Sequence, residues 1–463
     1  MKIENDLGRD DIKKLVFRIA IPSMLAQFVS VFYSIVDRMY IGNIKDVGSY
    51  ALAGVGVCGP VVTMIGSIAF LVGVGGAPLM SMRLGEGRKE EAENILSNAF
   101  MMLIFFSIIA VAIVYPLRIP MLKTFGASEI TLSYADTYFK TYLTGTVFAL
   151  ITTGMNQYII CQGFSKVGMQ SVVIGAVLNI VLDPLFIFAF DMGVKGAAVA
   201  TVLSQFASCI FVVRFLFSDK VPVRIFFKGY NIRIVGRILS IGMTPFLIIA
   251  ADNIMIISMN AILQKYGGPL EGDMLVTCAT IAQSFMLVVT MPLGGISGGT
   301  QTILAYNYGA KRIDRVKKAE KYILLLAVAY DTVLLALAWG VGGLFVRLFT
   351  SDPVIAEEAL RAIKICTLAI IPLAAQYVFI DGLTGLGQVK VSLPLSMFRK
   401  LVYFIALFIL PAIFGAKATF FAEPISDIIS PIVTTLCCYI LLKKSPFFKG
   451  FLKSTQNKDY GKE

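Results

Sequence analysis

Met-Met-Leu-Ile-Phe-Phe-Ser-Ile-Ile-Ala-Val-Ala-Ile-Val-Tyr (101–115) carries no charge at all. In water, such a run would need an apolar partner on every face. In lipid it needs none, and runs of this kind extended to about 20 residues cross a bilayer as a helix. The pattern recurs at Val172–Leu182 and at Leu324–Leu337, the last interrupted by Asp331 and Thr332. Over the whole chain of 463 residues, 57% are hydrophobic and only 15% charged, where a soluble protein carries about a quarter charged residues. The expected fold class is therefore an all-α integral membrane protein.

Working outward from these runs, helices are expected near 15–41, 51–81, 94–117, 134–160, 168–190, 195–217, 236–264, 273–306, 320–346, 357–381, 390–414 and 421–442. Twelve crossings put both termini on one side. One set of connections carries Lys2, Arg9, Lys13 and Lys14, then Arg83, Arg88 and Lys89, then Lys220, Arg224, Lys228, Arg233 and Arg237, then Lys311, Arg312, Arg315, Lys317 and Lys318; the tail adds Lys443, Lys444, Lys449, Lys453, Lys458 and Lys462. The opposite connections hold one or two each, such as Lys45, Lys195, Lys265 and Lys417. Basic residues collect on the cytoplasmic side, so both termini are expected in the cytoplasm and the chain in the cell (inner) membrane. The formal charge of +12 is then topological and implies no nucleic-acid partner. The partners expected are the lipid bilayer and a small-molecule substrate, with the chain acting as a monomer.

The chain repeats itself. Pro22 and Pro245 are separated by 223 residues, and the same offset relates Asp37 to Asn260 and Gly75-Gly76 to Gly298-Gly299. One residue more relates Gly85 to Gly309, and Gln-Gly-Phe-Ser-Lys-Val-Gly (162–168) echoes Asp-Gly-Leu-Thr-Gly-Leu-Gly (381–387). Six helices per half is an even number, so the two pseudo-symmetric six-helix lobes share one orientation, a common transporter plan. The expected division is an N-lobe over 1–218, a basic cytoplasmic linker over 219–236, a C-lobe over 237–445 and a cytoplasmic tail over 446–463.

Several chemistries are excluded by composition. There is no histidine, which removes imidazole relays, histidine ligands and Ser-His-Asp catalysis. The seven cysteines fall mostly inside apolar runs without metal-ligand spacing and read as reduced packing residues. No Gly-x4-Gly-Lys-Ser/Thr loop occurs, so ATP is not the evident energy source. No cofactor is expected, and an enzyme is disfavoured.

Proton or cation chemistry must then use carboxylates. Ionisable groups inside a membrane cost about 2.5–3.5 kcal/mol each on insertion scales and usually mark function. Asp37 lies late in an outward-running helix. Asp183 lies about 15 residues into another, roughly 22 Å deep at 1.5 Å per residue. Thr201 lies shortly inside an inward-running helix, so all three share the outer half. Tyr33 and Asn179 stand four residues before Asp37 and Asp183, on the same helix faces. Together these oxygens suit a small hard cation such as Na⁺, and two close carboxylates also suit H⁺. The plainer alternative is that Asp183 bonds to backbone before Pro184 and Asp37 pairs with Arg38. In the second half Asn260 replaces the acid, while Asp252, Asp331, Asp381 and Asp427 remain. The glycine clusters 73–76 and 294–299 read as close helix packing.

Ile-Pro-Ser-Met-Leu-Ala-Gln (21–27), Ile-Val-Asp-Arg-Met-Tyr-Ile-Gly (35–42), Asn-Ile-Val-Leu-Asp-Pro-Leu-Phe-Ile-Phe (179–188), Gly-Val-Lys-Gly-Ala-Ala-Val-Ala-Thr (193–201) and Asn-Tyr-Gly-Ala-Lys-Arg (307–312) resemble motifs of the multidrug and toxic compound extrusion (MATE) transporters along nearly the whole chain. The resemblance implies a V-shaped pair of six-helix lobes that expels drugs or metabolites in exchange for Na⁺ or H⁺. It also implies a coupling site at Asp37, Asn179, Asp183 and Thr201, with Tyr33 and Asn156 nearby. Asp252 lies near where some relatives place an acid in the seventh helix, and with Asn260 is a secondary coupling or substrate candidate. The competing reading is a flippase of lipid-linked precursors, which calls for an arginine-rich cavity; Arg399, placed near a helix end, is its main candidate.

Overall fold

The computed structural model describes residues 5–45, 47–125, 127, 130–350 and 352–444. Lys2 and the tail lysines from Lys449 onward, with the expected tail 446–463, lie outside the described residues. Among those described there are helices and no strands. The helices are α1 (Ile12–Gly42), α2 (Gly48–Gly85), α3 (Lys89–Thr124), α4 (Thr131–Ile160), α5 (Ser165–Pro184), α6 (Gly193–Phe217), α7 (Ile232–Gly309), α8 (Ile313–Gly340), α9 (Gly342–Arg347), α10 (Pro353–Cys366), α11 (Ile370–Gly385), α12 (Val389–Phe414) and α13 (Ala422–Lys444).

The 78 residues of α7 are two spans, because Gly268 at φ 66° and ψ −171° breaks the helix. Ile232–Gly268 and Met274–Gly309 are each long and apolar enough to cross a membrane, as are nine other segments. With α4 they make twelve. Helix α4 is less apolar, and it is enclosed by its neighbours: it packs against α2, α3, α5 and α6. It buries Tyr138, Tyr142, Thr146 and Asn156, polar groups that lipid would not tolerate.

Two expected boundaries were too simple. The ninth crossing ends at Gly340 rather than at 346, and the chain restarts as the short α9. The tenth crossing starts at Pro353, where Asp352 accepts hydrogen bonds from the Val354 and Ile355 amides as an N-cap. A 3-10 turn at Thr367–Ala369 then interrupts it.

The chain divides into two compact units. The first comprises Met1–Ile254, Thr290–Ala310 and Thr384–Val389. Its glycines let backbones touch. A Cβ on Gly85 would strike the Tyr306 carbonyl, and one on Gly309 would strike the Met82 carbonyl. This exchange is reciprocal between repeat-related positions. Gly75 likewise meets the backbone of Gly242, and Gly295 that of Ser23. Close packing, the role read from the glycine clusters, is what these residues do.

The stretch from 219 to 231 is also tied to this unit. Val223 donates its amide to Gln162 Oε1 at 2.8 Å, Phe226 to Ser97 Oγ at 3.1 Å, and Asn231 to Asn98 Oδ1 at 3.1 Å. Val221, Val223 and Ile225 of this stretch are buried. The second unit comprises Met255–Val289, Lys311–Leu383 and the chain from Lys390 onward. Its core includes Met259, Leu263, Phe285, Ile363, Leu373, Tyr403 and Phe420.

Candidate functional site

The first unit brings Asp37 of α1 and Asp183 of α5 together. Their carboxyls approach within hydrogen-bonding reach of each other. Asp183 is fully buried, and Asn179, one turn earlier on the same face, donates from Nδ2 to Asp183 Oδ1 at 3.0 Å. Asp37 Oδ1, Asp183 Oδ2 and Asn179 Oδ1 are buried with no hydrogen-bond partner. Tyr33 faces both carboxylates electrostatically. Arg38 is exposed and acts on Asp37 by its charge without a bonded ion pair.

The local sequence explains why Asp183 stands where it does. Proline has no amide hydrogen, so Pro184 leaves a carbonyl one turn earlier without its helical donor. Immediately after it the chain widens into a π-turn, Leu185–Ala189, in which Phe190 donates to the Leu185 carbonyl at 2.9 Å. Single π-turns inside α-helices are frequent at functional sites. The carboxylate therefore sits at a change of helical pitch.

Thr201 reaches the cluster indirectly. Its hydroxyl donates to the Ala197 carbonyl of its own helix at 3.0 Å. The Tyr138 hydroxyl lies against Thr201, and Tyr138 in turn feels the charge of Asp37. Tyr142 stacks beside Tyr138 with ring centroids 6.3 Å apart and lies against Gln205. Tyr138, Tyr142 and Gln205 were not singled out from the sequence, although a signal existed. Two tyrosines four residues apart on α4, and a glutamine four residues after Thr201, mark polar stripes.

The structure places Asn156 apart from this cluster. It accepts from Ser171 Oγ at 3.2 Å, and Ser171 precedes Asp183 on α5 by about 18 Å at 1.5 Å per residue. Asp252 is half-buried in the first unit, and Asn260 is half-buried in the second.

The second unit holds its own buried charges. Arg399 is not at a helix end, as expected, but well inside α12 and 8% exposed. Its Nε donates to Asp427 Oδ1 at 2.7 Å. Asp331, mid-way along α8, is fully buried.

The chain is 24% identical over 437 residues to the multidrug export protein MepA of Staphylococcus aureus, a match spanning 94% of this chain and 95% of that one. MepA of Staphylococcus saprophyticus is 22% identical over 437 residues, with the same coverage. Among solved structures, an outward-facing multidrug resistance MATE transporter of the MOP superfamily superposes with a TM-score of 0.88 at 24% identity, covering 95% of this chain and 98% of that one. A MOP superfamily transporter from Pyrococcus furiosus, described as having a binding pocket of reverse polarity that suggests a different function, gives 0.89 at 24% identity over 96% and 99%. These structures share the fold. The MatE family model matches residues 22–185 and again 249–409, once in each half of the repeat and over more than half of the chain, and this chain belongs to that family of membrane transporters.

Proposed function

We propose that the chain is a secondary active antiporter that exports small amphipathic, often cationic drugs or metabolites in exchange for H⁺ or Na⁺, and that Asp37 and Asp183 bind the coupling ion. The observation that carries this reading is the contact of two carboxyls with no basic side chain bonded to either. Two carboxylates that close cannot both remain ionised without a bound cation. Their unpartnered oxygens, with that of Asn179, are the acceptors a proton or sodium ion requires. Filling the site reduces its charge, and the turn after Pro184 repacks. A cationic substrate then leaves the state that holds the ion, because a ligand shifts such an equilibrium only through its differential affinity for the two states. The names of the curated relatives support the substrate class.

The basic connections support an orientation with both termini cytoplasmic in the cell membrane. Single cysteines in place of Lys311 and Lys195 should label from the cytoplasm and from outside respectively; labelling from one common side would overturn the helix count. The flippase reading loses its main argument, since Arg399 is held by Asp427. Efflux from vesicles under separately imposed pH and sodium gradients tests the coupling. One gradient should drive export in the wild type and fail in Asp183→Asn. Equal export by the two proteins at equal surface expression would refute the site.

A further inference from the structure

The second unit contains a charge that its packing does not use. Asp331 is fully buried, and both of its carboxyl oxygens lack any hydrogen-bond partner. The charge that acts on it most is Asp427, which is fully buried, keeps Oδ2 unpartnered and accepts on Oδ1 from Arg399. Ser426 Oγ lies 3.2 Å from Asp427 Oδ1, and Ser430, one turn along α13, has a buried hydroxyl without a partner.

Arg399 and Asp427 form a bonded pair of opposite charge. Asp331 adds a further acid and makes no bond that would stabilise the fold. An isolated carboxylate in such an interior costs several kcal/mol, and three things can relieve it. A cationic side chain is the first, but Arg399 is committed to Asp427, and neither it nor the buried Lys400 bonds to Asp331. Hydrogen-bond donors are the second, and none reaches it. The third is a bound monovalent cation. Titratable groups on the neighbouring helices, among them Lys364 and Cys366 of α10, Lys400 and Tyr403 of α12, and Glu423 of α13, make no bond to Asp331. Among the described residues no group of three or more acids, cysteines or histidines is placed to hold a metal ion, and a metal ion needs several oxygens at once, so a proton suits the site better.

We propose that Asp331 is a proton-binding site of the second unit, loaded as the neutral acid beside the Arg399–Asp427 pair. The site is separate from the Asp37–Asp183 cluster and from the repeat position Asn260. Its use in coupling rests on the antiport reading above, but its occupancy by a proton does not.

Infrared difference spectroscopy of the protein reconstituted in liposomes tests it. The spectrum of wild type minus Asp331→Asn at neutral pH should show one protonated-carboxyl C=O band. The same band should appear when the pair is compared in an Asp183→Asn background, whatever that background does to export. Asp331→Leu, which keeps the site neutral and filled, should give the same difference if the asparagine variant does not accumulate. Adding NaCl at constant pH should leave the band in place. A wild-type spectrum with no carboxyl band that either substitution removes would overturn the proposal. A band that sodium abolishes would overturn the choice of proton over metal ion. Loss of export in Asp183→Asn with the Asp331 band intact would uphold both readings. Retained export with the band intact would sink only the first.

Discussion

The two units bury carboxylates in opposite company. In the first, Asp37 and Asp183 face each other with an amide and tyrosines around them and no bonded base. In the second, Asp427 is locked to Arg399, and Asp331 is left over. In the first cluster no base is bonded to either acid, whereas in the second one acid is paired and one is not. On the proposal above, the first cluster changes its charge during transport, and the second keeps a permanent ion pair with one adjustable neighbour.

The largest effect expected from this contrast is on export. Asp183→Asn should bring gradient-driven efflux down to that of empty vesicles, while Asn260→Ala at the half-buried repeat position should keep the wild-type rate within about twofold, since changes away from a buried network are small. Equal losses in the two variants would show that the repeat position still participates.

The next effect is on stability and belongs to the second unit. Arg399→Gln leaves Asp427 buried without its partner, which should cost about 3–5 kcal/mol. Arg38→Gln, beside the first cluster but exposed, should stay within about 0.5 kcal/mol. Thermal unfolding in detergent compares them, and similar shifts would mean that Arg38 neutralises the first cluster after all.

A smaller cost is expected where the frame of the first unit relies on bare backbone. Gly85→Ala forces a Cβ against the Tyr306 carbonyl and should destabilise by about 1–3 kcal/mol. Gly66→Ala, where a Cβ meets nothing, should be neutral or stabilise by up to about 1 kcal/mol through helix propensity. The same unfolding assay separates the two.

The smallest effect concerns the indirect link to Thr201. Tyr138→Phe removes one hydroxyl from the chain joining Thr201 to Asp37 and should lower ion-driven export by about fivefold, the worth of about 1 kcal/mol. If Thr201→Val exceeds it greatly, Thr201 touches the ion directly.

Much of this was legible in the sequence because lipid makes the rules strict. Apolar runs pointed to twelve crossings, and helix geometry put Asp37 and Asp183 on different helices at one depth. What the sequence could not convey depends on side-chain reach. Tyr138 and Gln205 look like ordinary interior residues until their hydroxyl and amide are seen meeting Thr201 and Tyr142. Arg399 read as a helix-end arginine, since nothing local pairs it with Asp427, 28 residues on. Asn156, which the resemblance set near the coupling site, bonds to Ser171, about 18 Å along α5 from Asp183 at 1.5 Å per residue. The breaks at Gly340 and at Thr367–Ala369 leave the hydropathy pattern almost unchanged, so periodicity could not find them.

Asp37→Asn is the most direct test of the central claim, because it removes a charge whose burial is costly in lipid and should spare insertion. Purified variant and wild type would be reconstituted in proteoliposomes at matched protein density, and substrate accumulation followed under a pH gradient and, separately, a sodium gradient. The account expects the variant to fold, to bind substrate and to equilibrate it without moving it uphill under either gradient. Uphill transport by Asp37→Asn at the wild-type rate would contradict the account.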